Sequence, residues 1–309
     1  MSDTIFLAED EHGQVSCSDG EGRITMVVQP TEHARGPWDP RALHGGAPAA
    51  LMTAAFERVE PGSQLRIARL GFELLRPIPF APLRLSTRIV RPGRRVQELA
   101  GELSADLPLR GRCGSGEQVI LRASALRVQA VPAEAAAAAA ELARDGVLST
   151  PDGGPAGGEP DAGPPTAPLP PPADGKLVRF ALDDSERDSF AASAMEMRWL
   201  SDPRAPGPGR VWMRLRHPLL AGQELTPLAR LAATADFGNG VSAALPFERF
   251  LFINADLTIH LQREPRGEWI GLDARTLLHE GGAGLAESVL HDVHGPVGRA
   301  FQTLVVQPR

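Results

Sequence analysis

A proline- and glycine-rich stretch near the middle of the chain constrains its architecture more than any other feature. The stretch runs from Pro151 to Gly175 and offers almost no apolar surface to bury, so it is predicted to be a disordered, partly extended linker. The residues on either side form two halves of similar length. We therefore predict a first domain over residues 1–145, a linker over 146–176 and a second domain over 177–309.

The two halves have the same predicted order of elements: short strands, one apolar helix and then several long strands. Small and apolar residues predict buried helices over Gly45–Glu57 and within Pro227–Ala244, and an alanine run predicts a short helix over Ala133–Arg144. Alternating apolar residues predict the long strands, which are 66–75, 83–90, 96–104 and 119–128 in the first half and 250–261, 269–276, 284–290 and 297–306 in the second.

A short pattern shared by the halves indicates an internal duplication. The segments Ala68–Arg76 and Ala255–Arg263 have alanine, two leucines and arginine at one constant offset, and apolar residues recur at every second position in both. Strand–helix alternation is missing, which argues against a parallel dinucleotide-binding sheet. The predicted fold class is α+β, with two antiparallel sheets each wrapped around a central helix.

Composition and charge exclude some classes of function. The formal net charge is −6, with 32 Lys and Arg against 38 Asp and Glu, so the chain lacks the basic footprint of a nucleic-acid-binding protein. No segment has the length and apolarity of a membrane span, and the N-terminus lacks a basic segment followed by an apolar run, so we expect a cytoplasmic protein. Cys17 and Cys113 do not have the spacing of a metal site or of a disulfide framework.

Two features at the helix ends are candidates for chemistry. His44, Gly45 and Gly46 lie at the start of the first helix, where unpaired N–H groups and the helix dipole favour a developing negative charge. The alternative is that these glycines only permit a tight turn. Asp236 lies among small and apolar residues at the end of the second helix, which suits a general base. A solvated or turn-capping carboxylate is the alternative there.

Polar residues inside apolar strands are further candidates. Strict alternation places Asn254, Asp256 and Thr258 on one strand face, which solvent alone can explain, and Gln302 lies within the apolar last strand. The sequence contains no Gly-x-Ser-x-Gly nucleophile motif, no phosphate-binding loop and no dinucleotide-binding glycine motif. Its 8 histidines are scattered without metal-ligand spacing.

Taken in order along the chain, these segments resemble the type-II acyl-CoA thioesterases, a family with a double-hotdog fold. In the first half the resemblance is carried by the His44-Gly45-Gly46 helix start and by Leu75-Arg76-Pro77. In the second half it is carried by Met197-Arg198-Trp199, Gly209–Arg214, Ala235-Asp236, Asp256–His260, Gly267-Glu268-Trp269 and Gln302. The resemblance covers nearly the whole chain except the linker, and it implies two hotdog units.

The resemblance implies that a water molecule hydrolyses an acyl thioester, such as an acyl-CoA, without a metal or organic cofactor. In the family, an aspartate, a serine or threonine and a glutamine hold the water. Asp236 and Gln302 match two of these residues, while the hydroxyl position is Asn254, whose amide can still orient a water. Substrate contacts are predicted at His44, Gly45 and Gly46, with the other helix as an alternative source of oxyanion donors, and the resemblance implies a homodimer.

Two other functions stay open at this point. Asp39 and His44 have the separation of the acid–base pair in hotdog enoyl-CoA hydratases and dehydratases, although the asparagine of that motif is missing between them. The replacement of a hydroxyl by Asn254 is also consistent with an acyl-binding protein that has lost catalysis.

Overall fold

The computed structural model describes residues 3–8, 16–18, 23–37, 39–108, 114–144, 168–179 and 188–309. The strands are β1 (Phe6–Ala8), β2 (Ser16–Ser18), β3 (Arg23–Pro30), β4 (Leu65–Leu74), β5 (Leu83–Arg91), β6 (Val96–Pro108), β7 (Ser115–Gln129), β8 (Lys176–Leu177), β9 (Met195–Trp199), β10 (Gly209–Leu215), β11 (Phe250–Asn254), β12 (Asp256–Leu261), β13 (Ile270–Leu277), β14 (Gly284–Asp292) and β15 (Gly295–Pro308). The helices are α1 (Gly46–Arg58), α2 (Ala133–Arg144), α3 (Pro227–Ala235) and α4 (Gly238–Val241). None of the helices in these ranges has the length and apolarity needed to cross a membrane.

The strands form one antiparallel sheet whose two halves repeat the same order. From its centre, the first half runs β4-β7-β6-β5-β3 and the second half runs β12-β15-β14-β13-β10. The halves meet where β4 pairs with β12, with Phe72 opposite Leu257 and Gly71 opposite Thr258. This repeated order confirms the predicted α+β class with antiparallel sheets, and it agrees with the duplication inferred from the shared sequence pattern.

Helices α1 and α3 lie side by side and antiparallel. A Cβ atom on Gly46 would lie 2.5 Å from the carbonyl oxygen of Ala233, so glycine permits this close approach. At the opposite end, the Thr226 hydroxyl caps α3 and donates a hydrogen bond of 2.6 Å to Glu57. The start of α1, in the first half, therefore lies beside the end of α3, in the second.

Most predicted elements lie within a few residues of the observed ones, but the second helix is interrupted. It was expected within residues 227–244, whereas α3 ends at Ala235 and α4 begins at Gly238. A Cβ atom on Gly238 would lie 2.6 Å from Oε1 of Gln302 and 2.8 Å from Oγ of Ser288. The chain therefore turns tightly against β14 and β15 at this point. The turn leaves the end of α3 facing the sheet.

The prediction that Asn254, Asp256 and Thr258 share one strand face is wrong. Asn254 pairs with Leu304, but Thr258 pairs with Phe301, so the strand pair contains one extra residue on the 250–261 side. Such a bulge reverses the alternation of side chains along a strand. Asn254 points to the helix side of the sheet, whereas Asp256 and Thr258 lie on the opposite face, where the Asp256 carboxylate accepts from the Thr303 N–H at 2.7 Å.

The bulge occurs twice in the chain. The extra residue of the second half is Ala255, and the pairing of β4 with β7 shifts at Ala68, between Ile67 and Arg69. Ala68 and Ala255 are matched positions in the pattern shared by the two halves. The duplication therefore includes the irregularity that turns Asn254 inward.

The predicted linker is described only in part. Trp38, Cys113 and residues 146–167 lie outside the described residues, and nothing is described of the side chain of Cys17. Residues 168–176, which were expected to be disordered, contact the second half: Pro170 accepts a 2.6 Å hydrogen bond from the Trp212 indole, and Leu169 packs near Gly271. The Leu169 side chain and the Pro170 carbonyl thus give residues 168–176 specific contacts with the second half.

Candidate active site

Asp236 is the centre of the candidate site. It is the C-cap residue that directly follows α3, and only 5% of its surface is exposed. A buried carboxylate needs hydrogen-bond donors to offset the loss of water. Donors reach it from three directions: the inner face of β11, the inner face of β15 and the start of α1.

The three residues that the resemblance assigned to the water-holding trio contact one another. Nδ2 of Asn254 donates to Oδ1 of Asp236 at 2.8 Å. Nε2 of Gln302 donates to the Asp236 carbonyl oxygen at 3.1 Å and lies 3.5 Å from Oδ1. Gln302 is fully buried, at 1% exposed, so it is not a hydrated edge residue.

Asn239 joins these amides, and sequence reasoning missed it. Its side-chain Nδ2 donates to Oδ1 of Asn254 at 2.7 Å, and its backbone N–H donates to Oε1 of Gln302 at 3.1 Å. Both acceptor oxygens are thereby turned away from Asp236, and both NH₂ groups are turned towards it. No local signal marked Asn239, because an asparagine between glycines normally indicates only a turn.

His44 contacts the other carboxylate oxygen. Its Nδ1 lies 3.0 Å from Oδ2 of Asp236 and accepts from the Gly46 N–H at 3.0 Å. Nδ1 can accept from the Gly46 N–H or, when it carries a proton, donate to Asp236, but it cannot do both at once. The ring stacks on Phe237 at 4.3 Å, which fixes its plane.

The predicted glycine pair lies directly against the acid. A Cβ atom on Gly45 would lie 2.8 Å from Oδ2 of Asp236, so only glycine fits there without displacing the carboxylate. The positive end of the α1 dipole therefore points at the carboxylate and favours negative charge there. The Gly46 N–H, predicted as a possible oxyanion donor, is engaged by His44 in this state.

A small cavity adjoins the site. It has a volume of about 30 Å³ and is lined by Pro37, His44, Met197, Trp199, Phe237, Asn239, Gly240, Val241 and Phe247. His44 and Asn239 supply the polar side chains of this set that also contact the Asp236 cluster. The cavity therefore has mostly apolar walls, with the His44 imidazole and the Asn239 amide at the end that adjoins Asp236.

Asp39 is not part of the cluster. Its carboxylate binds the Arg41 guanidinium at 3.0 Å and accepts from the Arg41 N–H at 2.9 Å. The guanidinium lowers the pKa of the Asp39 carboxyl. Its possible partner, His44, contacts Asp236 instead, so the structure does not assemble the acid–base pair of the hydratase alternative.

Comparison with protein families agrees with this geometry. Residues 34–128 match the profile of the acyl-CoA thioesterase N-terminal domain, and residues 161–306 match that of the acyl-CoA thioesterase C-terminal domain. The chain belongs to the acyl-CoA thioesterase family. Asp236, Asn254 and Gln302 all lie within the region that matches the C-terminal domain, and His44 lies within the N-terminal one. No curated protein matches the chain significantly in sequence.

Solved structures share the fold of this thioesterase-family chain at low sequence identity. A hot dog fold protein of unknown function from Alicyclobacillus acidocaldarius is 17% identical, has a TM-score of 0.60, and covers 94% of each chain. Acyl-CoA thioesterase II from Mycobacterium marinum is 16% identical, with a TM-score of 0.54, covering 90% of this chain and 96% of its own. A dehydratase domain of the curacin polyketide synthase is 10% identical, with a TM-score of 0.52 and 96% coverage of both chains.

These neighbours establish the double-hotdog fold. Because a thioesterase and a dehydratase both share it, the fold alone does not select the reaction. The choice has to rest on the residues of the site.

Proposed function

We propose that the protein hydrolyses acyl-CoA or related acyl thioesters to the free acid and thiol. The observation that carries the proposal is the buried Asp236 carboxylate, held by Asn254 and Gln302 at the end of one helix and facing the start of another. A buried, oriented carboxylate beside an imidazole is suited to removing a proton from water. Membership of the thioesterase family supports the same reaction.

The proposed mechanism starts with a water bound to Asp236. A carboxylate has about four lone-pair positions, of which Asn254 and Gln302 use two on Oδ1, while His44 lies against one on Oδ2. The water occupies the remaining position and loses its proton to the carboxylate as its oxygen bonds to the thioester carbon. The C–S bond then breaks, and the thiolate takes up a proton through the pair formed by His44 and Asp236.

The transition state in such a reaction carries negative charge on the former carbonyl oxygen. The α1 start approaches the carboxylate at Gly45, and the backbone N–H groups of Gly45 and Gly46 are the proposed donors for this oxygen. Transfer of the proton taken from water, from Asp236 to His44 Nδ1, would release the Gly46 N–H, because a protonated nitrogen no longer accepts. The proposed site thus uses residues from both halves.

The hydratase alternative has less support. Its acid–base pair requires Asp39 close to His44, but Asp39 is exposed and paired with Arg41. The acyl-binding alternative has a specific test, because it predicts thioester binding without thiol release. The replacement of a hydroxyl by Asn254 does not remove the hydrogen bond to Asp236, which the amide supplies at 2.8 Å.

The experiment is a thiol-release assay with a panel of acyl-CoAs, comparing the wild type with Asp236→Asn. Asparagine keeps the shape of the side chain but cannot accept a proton, so kcat is expected to fall by about 10²–10⁴-fold. The matched control is Asp256→Asn on the opposite face of the sheet, which should retain thiol release.

Two outcomes would contradict the proposal. Equal rates for Asp236→Asn and the wild type would remove Asp236 from the chemistry. Binding of acyl-CoA by the folded wild type with no thiol release from any ester would favour the acyl-binding alternative, and hydration of a trans-enoyl-CoA would favour the hydratase.

A further inference from the structure

The two amides of the proposed site lie beside a second, smaller apolar cluster. Phe252, Ala286 and Leu304 are each at most 3% exposed and form a group that, among the described residues, is separate from the main core. Leu304 pairs across the strands with Asn254, and Ala286 pairs with Gln302. Phe252 precedes Asn254 by two residues on β11, so it lies on the same face of the strand, about 7 Å away.

A loop covers this cluster. The chain between α4 and β11 brings Leu245 and Phe247 onto it, and the ring of Phe247 meets that of Phe252 edge-on, with the ring centroids 5.9 Å apart. Phe247 is also a wall of the small cavity that contains His44 and Asn239. A single aromatic side chain therefore contacts both the cavity at the site and the apolar cluster.

The duplication provides an internal comparison for this cluster. In the second half, the residue before the bulge is Asn254, and it pairs with Leu304. In the first half, the residue before the bulge is Ile67, and it pairs with Arg127. Arg127 is 3% exposed and donates to Gln97, so a polar network fills this position in the first half. The fold itself therefore does not require an apolar cluster here, and one is expected if an apolar part of a ligand binds there.

The position of the cluster suits the acyl chain of a thioester. A chain that leaves the reacting carbon along β11 and β15 meets apolar surface directly beyond Asn254 and Gln302. Each methylene group that moves from water onto such surface favours binding by up to about fourfold. The ring of Phe247 lies over this surface and has to turn aside before a chain can reach it.

We propose that Phe247 determines which acyl chains are hydrolysed, because the chain passes its ring to lie against Phe252 and Leu304. This inference rests on the proposed thioesterase function, and it specifies the substrates as thioesters of unsubstituted apolar chains that reach beyond the cavity at His44. A larger side chain at position 247 narrows the passage, and a smaller one widens it. Phe247 contacts the chain and not the reacting atoms, so it acts on the preference between substrates.

The test measures kcat/KM for butyryl-CoA and octanoyl-CoA in the wild type, Phe247→Ala and Phe247→Trp. The ratio of the octanoyl value to the butyryl value is expected to rise at least about tenfold in Phe247→Ala and to fall at least about tenfold in Phe247→Trp. The butyryl value itself should change by less than about threefold. Phe247 is half-buried on a loop, so both variants should fold, which urea denaturation checks.

The matched control is Ile253→Ala. Ile253 is the neighbour of Phe252 on β11, but it lies on the opposite face of the sheet and is 47% exposed. This variant should keep the wild-type ratio of octanoyl to butyryl hydrolysis.

Three results would overturn the inference. They are an unchanged ratio in both Phe247 variants, a ratio that moves in the same direction in both, and an equal loss on the two esters. The last result would place Phe247 against the pantetheine arm, which both esters share.

Failure of the proposed function gives a different result, namely no thiol release from any ester. In that case, calorimetric binding of butyryl-CoA and octanoyl-CoA to the wild type and to both Phe247 variants replaces the rates. A preference for the octanoyl ester that rises in Phe247→Ala and falls in Phe247→Trp supports the inference, and an unchanged preference contradicts it.

Discussion

At the scale of single residues, the site depends on which way two amides face. Asn254 and Gln302 could each present either an oxygen or an NH₂ group to Asp236, and only the NH₂ group is attractive to a carboxylate. Asn239 selects that arrangement, because its two N–H groups occupy the amide oxygens. Threonine or serine at position 254 would not need this help, since a hydroxyl rotates freely to donate. An amide in the hydroxyl position therefore makes Asn239 a positioning residue.

Asn239→Leu tests this coupling. Leucine has a similar size but cannot donate to Asn254, so the Asn254 amide loses its fixed orientation and kcat should fall about tenfold, corresponding to loss of a single buried hydrogen bond. The measurement is a double-mutant cycle with Asn254→Ala. If Asn239 acts through Asn254, the substitution has little further effect in the Asn254→Ala background. The same tenfold loss in both backgrounds would contradict the coupling.

The residues of the site were only partly predictable. Asp236, Asn254 and Gln302 could be named from the sequence through the family resemblance, and the structure brings them together. Asn239 carries no signal of its own, since an asparagine in a Gly-rich turn normally indicates only a turn. The contact of His44 with Asp236 joins the start of one helix to the end of another, and pairings between distant helices cannot be read from local patterns.

At the scale of elements, the strand that carries Asn254 shows what a periodic pattern leaves out. Alternation predicted the whole span from 250 to 261 as a single strand, and both β11 and β12 lie within it. The bulge at Ala255 has no distinctive composition, because bulges depend on how two strands pair. The consequence is large, since without the bulge Asn254 and Thr258 would point to the same side of the sheet.

The contact between α1 and α3 gives a prediction about stability. In Gly46→Ala, the new methyl group would lie 2.5 Å from a backbone oxygen of α3, and neither helix can move away without disturbing its buried face. We expect a loss of about 1–3 kcal/mol in the free energy of unfolding, measured by urea denaturation. Gly62→Ala is the control, because a methyl group there meets nothing within 4 Å, and its effect should stay within about 0.5 kcal/mol. Equal stability of Gly46→Ala and the wild type would show that the helices are not packed this closely.

At the scale of the whole molecule, the two ends of the helix pair have diverged. At one end, Asp236 of α3 meets the start of α1, and the duplicated architecture places the end of α1 beside the start of α3 at the other. There Arg127, 3% exposed, donates to the Phe56 carbonyl and to Gln97, and Glu57 accepts from Thr226. An arginine fills the space that corresponds to the candidate site. The duplicated fold thus has a site at one end and a structural network at the other.

The outer face of the second half contains a buried histidine whose ionisation ties stability to pH. Burial, the largest effect, lowers the pKa of His291 to about 4, while Asp292 acts to raise it and Arg263 to lower it. His291 is fully buried, and no partner for either ring nitrogen lies within the described residues. It pairs across the strands with Gly271, beside which Leu169 of the predicted linker packs. Leu169, near the end of the predicted linker, and the His291 imidazole therefore lie on the same face.

Because the folded-state pKa of His291 lies below the ordinary value of 6.5, the unfolded chain binds more protons between these two values. Stability is therefore unaffected by this group above about pH 6.5 and is lost as the pH falls towards 4. The contribution lost between pH 7 and pH 5 is on the order of 2 kcal/mol.

His291→Leu removes the titrating group. Between pH 7 and pH 5 the free energy of unfolding of this variant, measured in urea, should therefore fall less than that of the wild type, by about 2 kcal/mol. His294→Leu alters an exposed histidine in the turn that follows β14 and should keep the wild-type pH dependence. If His291→Leu and the wild type lose the same free energy between pH 7 and pH 5, the imidazole is hydrated and the segment at Leu169 does not seal this face.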